Sequence, residues 1–479
     1  MDFFMQSLLL IMITLLVISI FVLNQKNQSG TKTLPPGTFG WPIVNETYQF
    51  LFKRIDHFLQ EKHKKHSSEI FKTKLLGEPT VVLYGPNANK FVSTNEPQHV
   101  KVWYLRTQRM LFNLPDPDQP HGKKAAKQDA VVAAAPVKIL GFLKPEGLVR
   151  YMGCNIESIM QQHFMKNWEG KTELKVYPLV KNFALSLAYQ FYLGIDDPLH
   201  VAKFGSKFDD LYSGIYAVPA NIPGTTFHRA MKAANEIRED IQLLIKKKID
   251  DLSKGIVMND LLAHIVGAVE DGKYVPKIEI SNIIMGLMNS SYTPIAITLA
   301  FMIKHIGLGP QHIYQKIVSE HAEITESKGA GAALDWESIQ KMKYTWCVAQ
   351  ETMRLYPTAP GAFREAVTDI TFEGFTIPKG WKIFWAMMGT NKNEKYFDEA
   401  ESFDPSRFEE NVAGPYSFIP FGGGARSCPG KDYTRLVILT FIHNLITKFS
   451  WQLMLPHEQV LGSLVPLPAE GIPIRIRHL

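Results

Sequence analysis

Cysteine is scarce in this 479-residue chain: Cys154, Cys347 and Cys428 are the full complement. So few thiols, so far apart, build no disulfide framework, and a reducing compartment suits them. Strong charge of one sign is also missing. The chain has 52 Lys and Arg against 46 Asp and Glu, a net charge of +6, and no basic stretch interleaved with aromatics. That argues against a nucleic-acid partner; a mildly basic balance suits a membrane surface or an acidic electron donor. Sequence-local metal-ligand clusters are missing as well. His63 and His66 have no third ligand nearby, and a solvated helix face explains them. What the chain does have is apolar bulk, 46% hydrophobic with 11% aromatic, ample for a large core.

Charge is absent altogether from Phe3 to Leu23, and a helix crossing a bilayer needs about 20 such residues. The run is longer than the core of a cleaved leader and lacks a small-residue cleavage site. Asp2 precedes it while Lys26 and Lys32 follow, a bias that leaves the C-terminal bulk in the cytosol. The glycosylation triplets at Asn27 and Asn45 then never meet the lumenal machinery. Leu34-Pro-Pro-Gly-Thr-Phe-Gly-Trp-Pro42 is too rich in proline for helix or central strand and reads as a stiff hinge. The expected division is an anchor over 1–24 and a polar and Pro-rich hinge over 25–45, ahead of a globular part over 46–479 that a length rule alone would divide further.

The stretch with most chemical content is Pro420-Phe-Gly-Gly-Gly-Ala-Arg-Ser-Cys-Pro-Gly430. Three successive glycines permit turns closed to residues with a Cβ and let a flat ligand approach the backbone. The helix-compatible run Tyr433 to Ile446 follows at once, so Cys428 precedes a helix start, where the partial positive charge favours thiolate. A thiolate there serves as nucleophile or as metal ligand; the plainer reading is an inert cysteine in a glycine-rich turn.

The pattern Phe421-x-x-Gly424-x-Arg426-x-Cys428-x-Gly430 is far more specific than a lone cysteine, and it resembles the haem-binding loop of the cytochrome P450 superfamily of haem-thiolate monooxygenases. The resemblance implies a mainly α fold with small β-sheets, a single large domain behind an N-terminal transmembrane helix. It implies haem b, with Cys428 as axial ligand to the iron and Arg426 on a haem propionate. Arg364, in Gly361-Ala-Phe-Arg-Glu-Ala366, matches a second propionate-binding position; a solvent-facing strand arginine is the alternative. A basic residue that the family carries on a helix before Lys144 has only Lys138 as a counterpart here.

Two further segments keep the family order. Glu351-Thr-Met-Arg354 places opposite charges on one helix face. By resemblance this is the Glu-x-x-Arg clamp, completed by Arg407 in Phe403-Asp-Pro-Ser-Arg-Phe408. The apolar run Ile280 to Ile306 suits a buried central helix, and in the family such a helix crosses the oxygen side of the haem with a small-residue, acid and threonine signature. This chain has Asn289-Ser-Ser-Tyr-Thr-Pro294 there: Thr293 keeps the alcohol, and Tyr292 stands where the acid is expected. Pro294 lacks an N–H and crowds the carbonyl four residues back, which predicts a kink. Packing alone also accounts for a kink, with Asn289, Ser290 and Ser291 capping the freed carbonyls.

The segments quoted, with Gly374-Phe-Thr-Ile-Pro-Lys-Gly-Trp381, are similar to plant members of the superfamily that oxidise cyclic triterpenes. The implied protein is an endoplasmic-reticulum, single-pass monooxygenase. It takes electrons from NADPH-cytochrome P450 reductase and oxidises a terpenoid, with Thr293 and Tyr292 as catalytic residues. Two alternatives stay open: a non-oxygenating haem-thiolate isomerase, dehydratase or cyclase, motivated by Tyr292 and Pro294, and a membrane-anchored haem-binding protein without turnover.

Overall fold

The structure is a computed structural model that describes residues 33–40, 46–66, 68–114, 141–269, 276–329, 333–409 and 414–479. The expected anchor, most of the hinge, and Lys138 lie outside them. Helices dominate the described chain, with small sheets at the periphery.

Strands β1 (Ile70–Leu75) and β2 (Glu78–Leu83) form an antiparallel hairpin. Its turn residues Leu76 and Gly77 both have positive φ, the backbone hand that matches strand twist. β3 (Val100–Val102), β4 (Ala362–Ala366) and β5 (Lys382–Trp385) complete a five-stranded sheet in the order β1-β2-β5-β4-β3. β2 runs parallel to β5, with Thr80 opposite Lys382, and Arg364 on β4 faces Val102 and Ile383 on its two neighbours. Residues about 300 apart are thereby fastened side by side, which places the N-terminal part of the domain next to the cysteine loop.

Helix α1 (Pro86–Asn95) follows β2 through Gly85, with proline in its first turn, where a missing N–H costs nothing. The main helical body contains α2 (Val176–Leu193), α3 (Pro198–Gly214), α4 (Thr226–Ser253), α5 (Lys277–Ser291), α6 (Thr293–Leu308), α7 (Lys343–Leu355) and α8 (Lys431–Ile446). Together α5 and α6 are long and apolar enough to cross a membrane, but 67% of their most apolar 18-residue window is buried inside the protein, so this is the core helix foreseen for Ile280 to Ile306. α6 packs against α2, α7 and α8, and Ile295, Leu299 and Phe301 are fully enclosed.

The predicted kink is a break. One helix ends at Ser291 and the next begins at Thr293, with Tyr292 between them and Ala296 N donating to Tyr292 O at 3.0 Å. Pro294 supplies no donor at the break. Ser290 Oγ donates to Gly286 O at 2.8 Å and Ser291 Oγ to Met288 O at 3.0 Å, so the serines do satisfy carbonyls there. The buried Oδ1 of Asn289, an acceptor, has no partner among the described residues.

Candidate active site

Two left-handed glycines, Gly422 (φ +69°) and Gly424 (φ +71°), fold the cysteine loop back on itself, and Cys428 N donates to Phe421 O at 2.8 Å across the turn. A Cβ on Gly424 would lie 1.9 Å from Ser93 O, and one on Gly423 would lie 2.3 Å from Ser93 Oγ. Here the glycines are required by close packing of the loop on the end of α1. Gly430 is less constrained, because a Cβ there would meet Cys428 Sγ at an ordinary 3.7 Å.

Cys428 opens onto a cavity of about 270 Å³. Ser290, Pro294 and Thr298, one turn apart along the broken helix, form one wall, and Arg364, Phe421 and Arg426 are among the other lining residues. The wall spacing follows from helical geometry, since residues four apart share a face. Thr293 and Tyr292 are buried, but neither is among these lining residues. Tyr292 Oη instead lies 3.4 Å from Asp209 Oδ1 on α3.

Burial pushes the Cys428 thiol pKa up, and the Gly430 N–H draws it down by less. The helix-start effect anticipated from the sequence is therefore present but outweighed by desolvation, and a bound cation is what would hold the sulfur as thiolate. The two arginines differ. Arg364 is 7% exposed and donates through Nε to Glu96 Oε2 at 3.1 Å and through Nη1 to Phe363 O at 3.0 Å, which sets aside the solvent-facing alternative. Arg426 is largely exposed, with Nε 3.7 Å from Glu96 Oε1. Phe421 stacks near Trp346, with ring centroids 6.3 Å apart.

Behind the cavity, Arg354 and Glu351 form a bidentate pair with both N–O distances at 2.7 Å, and both side chains are fully buried. Arg354 also donates to the carbonyls of Asn391, Ala400 and Ser402, at 2.5, 2.6 and 2.9 Å. Asp404 N donates to Glu351 Oε1 at 2.9 Å, and Arg407 Nε approaches the same oxygen at 3.6 Å. The three residues read as a clamp are thus one network, tying α7 to the chain segment that leads into the cysteine loop. Glu96 and Thr298 were not singled out from the sequence. Nothing local marks either one: Glu96 meets a partner 268 residues away, and Thr298 is one alcohol in an apolar helix.

A thiol beneath an apolar helix, flanked by two arginines on a cavity, defines a haem-thiolate site: a soft anionic ligand for iron, cations for two carboxylates, and glycine-rich backbone beside them. Comparison with known proteins agrees. The cytochrome P450 family model matches residues 200–465. The chain is 42% identical over 485 residues to beta-amyrin 28-monooxygenase of Vitis vinifera, covering 99% of both chains. It is 41% identical to the Solanum lycopersicum enzyme of the same name, covering 98% of this chain and 97% of that one, and 40% identical to beta-amyrin 6-beta-monooxygenase of Solanum lycopersicum, covering 97% of each. In fold it is similar to the retinoic-acid-bound cyanobacterial CYP120A1, with TM-score 0.78 at 24% identity, covering 94% of this chain and all of that one. The chain belongs to the cytochrome P450 family, and it is a haem monooxygenase whose iron takes a cysteine thiolate and whose electrons come from a redox partner.

Proposed function

We propose that this monooxygenase oxidises a cyclic triterpene of the β-amyrin kind. Full-length identity of about two residues in five to enzymes named for β-amyrin supports that substrate class. Relatives of nearly equal identity are named for positions 28 and 6β, so identity leaves the oxidised carbon to the shape of this chain's own cavity. The enzyme is anchored in the endoplasmic-reticulum membrane by residues 1–24, with the domain 46–479 in the cytosol, and NADPH-cytochrome P450 reductase supplies its electrons. The charge-free run and the charges flanking it support this placement.

Bound haem supplies oxygen activation, strengthened by electron donation from sulfur. The chain's own residues do the rest. Cys428 Sγ holds the metal, and Arg364 and Arg426 hold the carboxylates of the cofactor. Phe421, Gly424 and Gly430 shape the loop. Glu351, Arg354 and Arg407 keep that loop in register with α7. Pro294 and the break at Tyr292 open the helix wall where substrate and protons must enter. Thr293 Oγ1 carries protons across the break, with the cavity-lining hydroxyls of Ser290 and Thr298 beyond it, and Tyr292 Oη connects the break to the Asp209 carboxylate.

The single observation that carries this reading is Cys428 in its glycine-folded loop on a cavity walled by Ser290, Pro294 and Thr298. Microsomes carrying the chain with its reductase, fed β-amyrin under isotopically labelled molecular oxygen, test it. A product with one labelled oxygen atom is expected. An unlabelled rearranged product would replace oxygenation with isomerisation or dehydration, a reading favoured by the lack of any carboxylate among the described residues that line the cavity.

A further inference from the structure

Glu96 stands at the end of α1, with its side chain only 8% exposed, between two guanidinium groups that come from distant parts of the chain. Each of its oxygens faces the Nε of one arginine: Oε2 to Arg364 at 3.1 Å and Oε1 to Arg426 at 3.7 Å. A buried carboxylate needs such partners, and contact through Nε leaves most of each guanidinium's N–H groups for other acceptors. Arg364 is further held by Phe363 O and by the Trp385 ring, 5.7 Å away, and both arginines line the Cys428 cavity. The contact of Gly424 with Ser93 O fixes where the loop sits relative to Glu96.

We propose that Glu96 is a positioning residue for the haem propionates, clasping Arg364 and Arg426 by their Nε edges so that both present their remaining N–H groups to the cofactor's carboxylates. This rests on the haem-thiolate assignment. It also has an electrostatic consequence. Two arginines, one glutamate and two propionates sum to one negative charge, and removing the Glu96 charge brings the group to neutrality. Reduction of ferric iron adds negative charge, so that loss favours the ferrous form.

The test uses holoenzyme carrying Glu96→Gln or Glu96→Asp, with the reduced carbon-monoxide spectrum confirming thiolate ligation. Haem transfer to excess apomyoglobin and the ferric/ferrous midpoint are measured, and transfer is repeated with iron protoporphyrin dimethyl ester, which has no free carboxylates. Glu96→Gln is expected to release haem about tenfold faster, the scale of one lost charge-assisted hydrogen bond, and to shift the midpoint upward. It should release the dimethyl ester no faster than the unaltered protein does. Glu96→Asp keeps the charge on a shorter arm and should speed haem release while leaving the midpoint near its original value. Should Glu96→Gln fail to accumulate, unchanged haem release from Glu96→Asp overturns the proposal. So does slower release from Glu96→Gln, which would mean that the carboxylate competes with the propionates. Equal acceleration for haem and ester would place the effect in the fold rather than at the propionates, and also overturns it.

Discussion

Tyr292 Oη lies 3.4 Å from Asp209 Oδ1, and Lys181 Nζ reaches the same oxygen at 2.6 Å. The residue in the expected acid position thus turns to an acid on another helix. Burial and the Asp209 charge push the phenol pKa well up, so Tyr292 stays neutral and can pass a proton only by accepting one as it donates another. Tyr292→Phe should retain the thiolate spectrum and slow product formation about tenfold, less than the roughly 10²–10⁴-fold of a group that passes a proton directly to the reacting atoms, because Tyr292 is not among the residues that line the cavity. Adding Asp209→Asn should cost little more, because the two act in series. Full additivity in product yield per NADPH would separate them.

Glu351 and Arg354 form a fully buried pair that Arg407 and three carbonyls complete. Glu351→Ala leaves a buried guanidinium without its counter-charge and should destabilise the protein by about 3–5 kcal/mol, enough to abolish haem incorporation. Arg354→Lys should fare little better, since an ammonium cannot reproduce the bidentate fork. Haem content per folded protein and thermal unfolding report both outcomes.

The glycine contacts with Ser93 predict unequal substitutions. Gly424→Ala meets a backbone oxygen at 1.9 Å in a left-handed conformation, and Gly423→Ala meets a serine hydroxyl at 2.3 Å. Gly424→Ala should empty the protein of haem, while Gly423→Ala should be milder. Ser93→Ala, which removes the hydroxyl but keeps a Cβ 3.0 Å away, should partly rescue the Gly423 change and leave the Gly424 change unrescued, as read from carbon-monoxide spectra of the double variants.

His321 and His443 meet Nδ1 to Nδ1 at 3.0 Å, with His321 Nε2 3.0 Å from Thr345 Oγ1. Burial pushes His321 down to about 3 and His443 down to about 4, helped to a smaller extent by the neighbouring imidazole and by Lys448, respectively. Both are neutral in the fold yet bind protons once unfolded below about 6.5. The unfolded state therefore gains protons as pH falls from about 6.5 toward 4, and stability is lost over that window, by up to about 1.4 kcal/mol per histidine per pH unit. His305 and His163, lowered to about 3 and about 4, act in the same sense. His321→Gln with His443→Gln should shrink the loss between pH 7 and pH 5 by roughly half, measured by urea midpoints.

Much of the site was legible because its rules are local. A cysteine among glycines ahead of a helix, charges on one face at Glu351 and Arg354, and a proline inside an apolar helix each dictate their neighbourhood within a few residues. The break at Tyr292 is where Pro294 requires one, and the clamp forms as the spacing of its residues allows. Less legible was the balance at Cys428, where the Gly430 N–H favours thiolate but desolvation pushes the pKa the other way.

By itself, then, the sequence determined the helix break and the Glu351–Arg354 pair, since these rest on backbone geometry and on contacts along one helix, while the loop motif and the place of Arg407 in the clamp were read from the family resemblance. Only the tertiary structure decided which face of the broken helix meets the cavity. It placed Ser290, Pro294 and Thr298 there, sent Tyr292 to Asp209, and put Glu96 between two arginines. Those partners are far apart in the chain, and their meeting depends on how the sheet and helices stack, which no local pattern records.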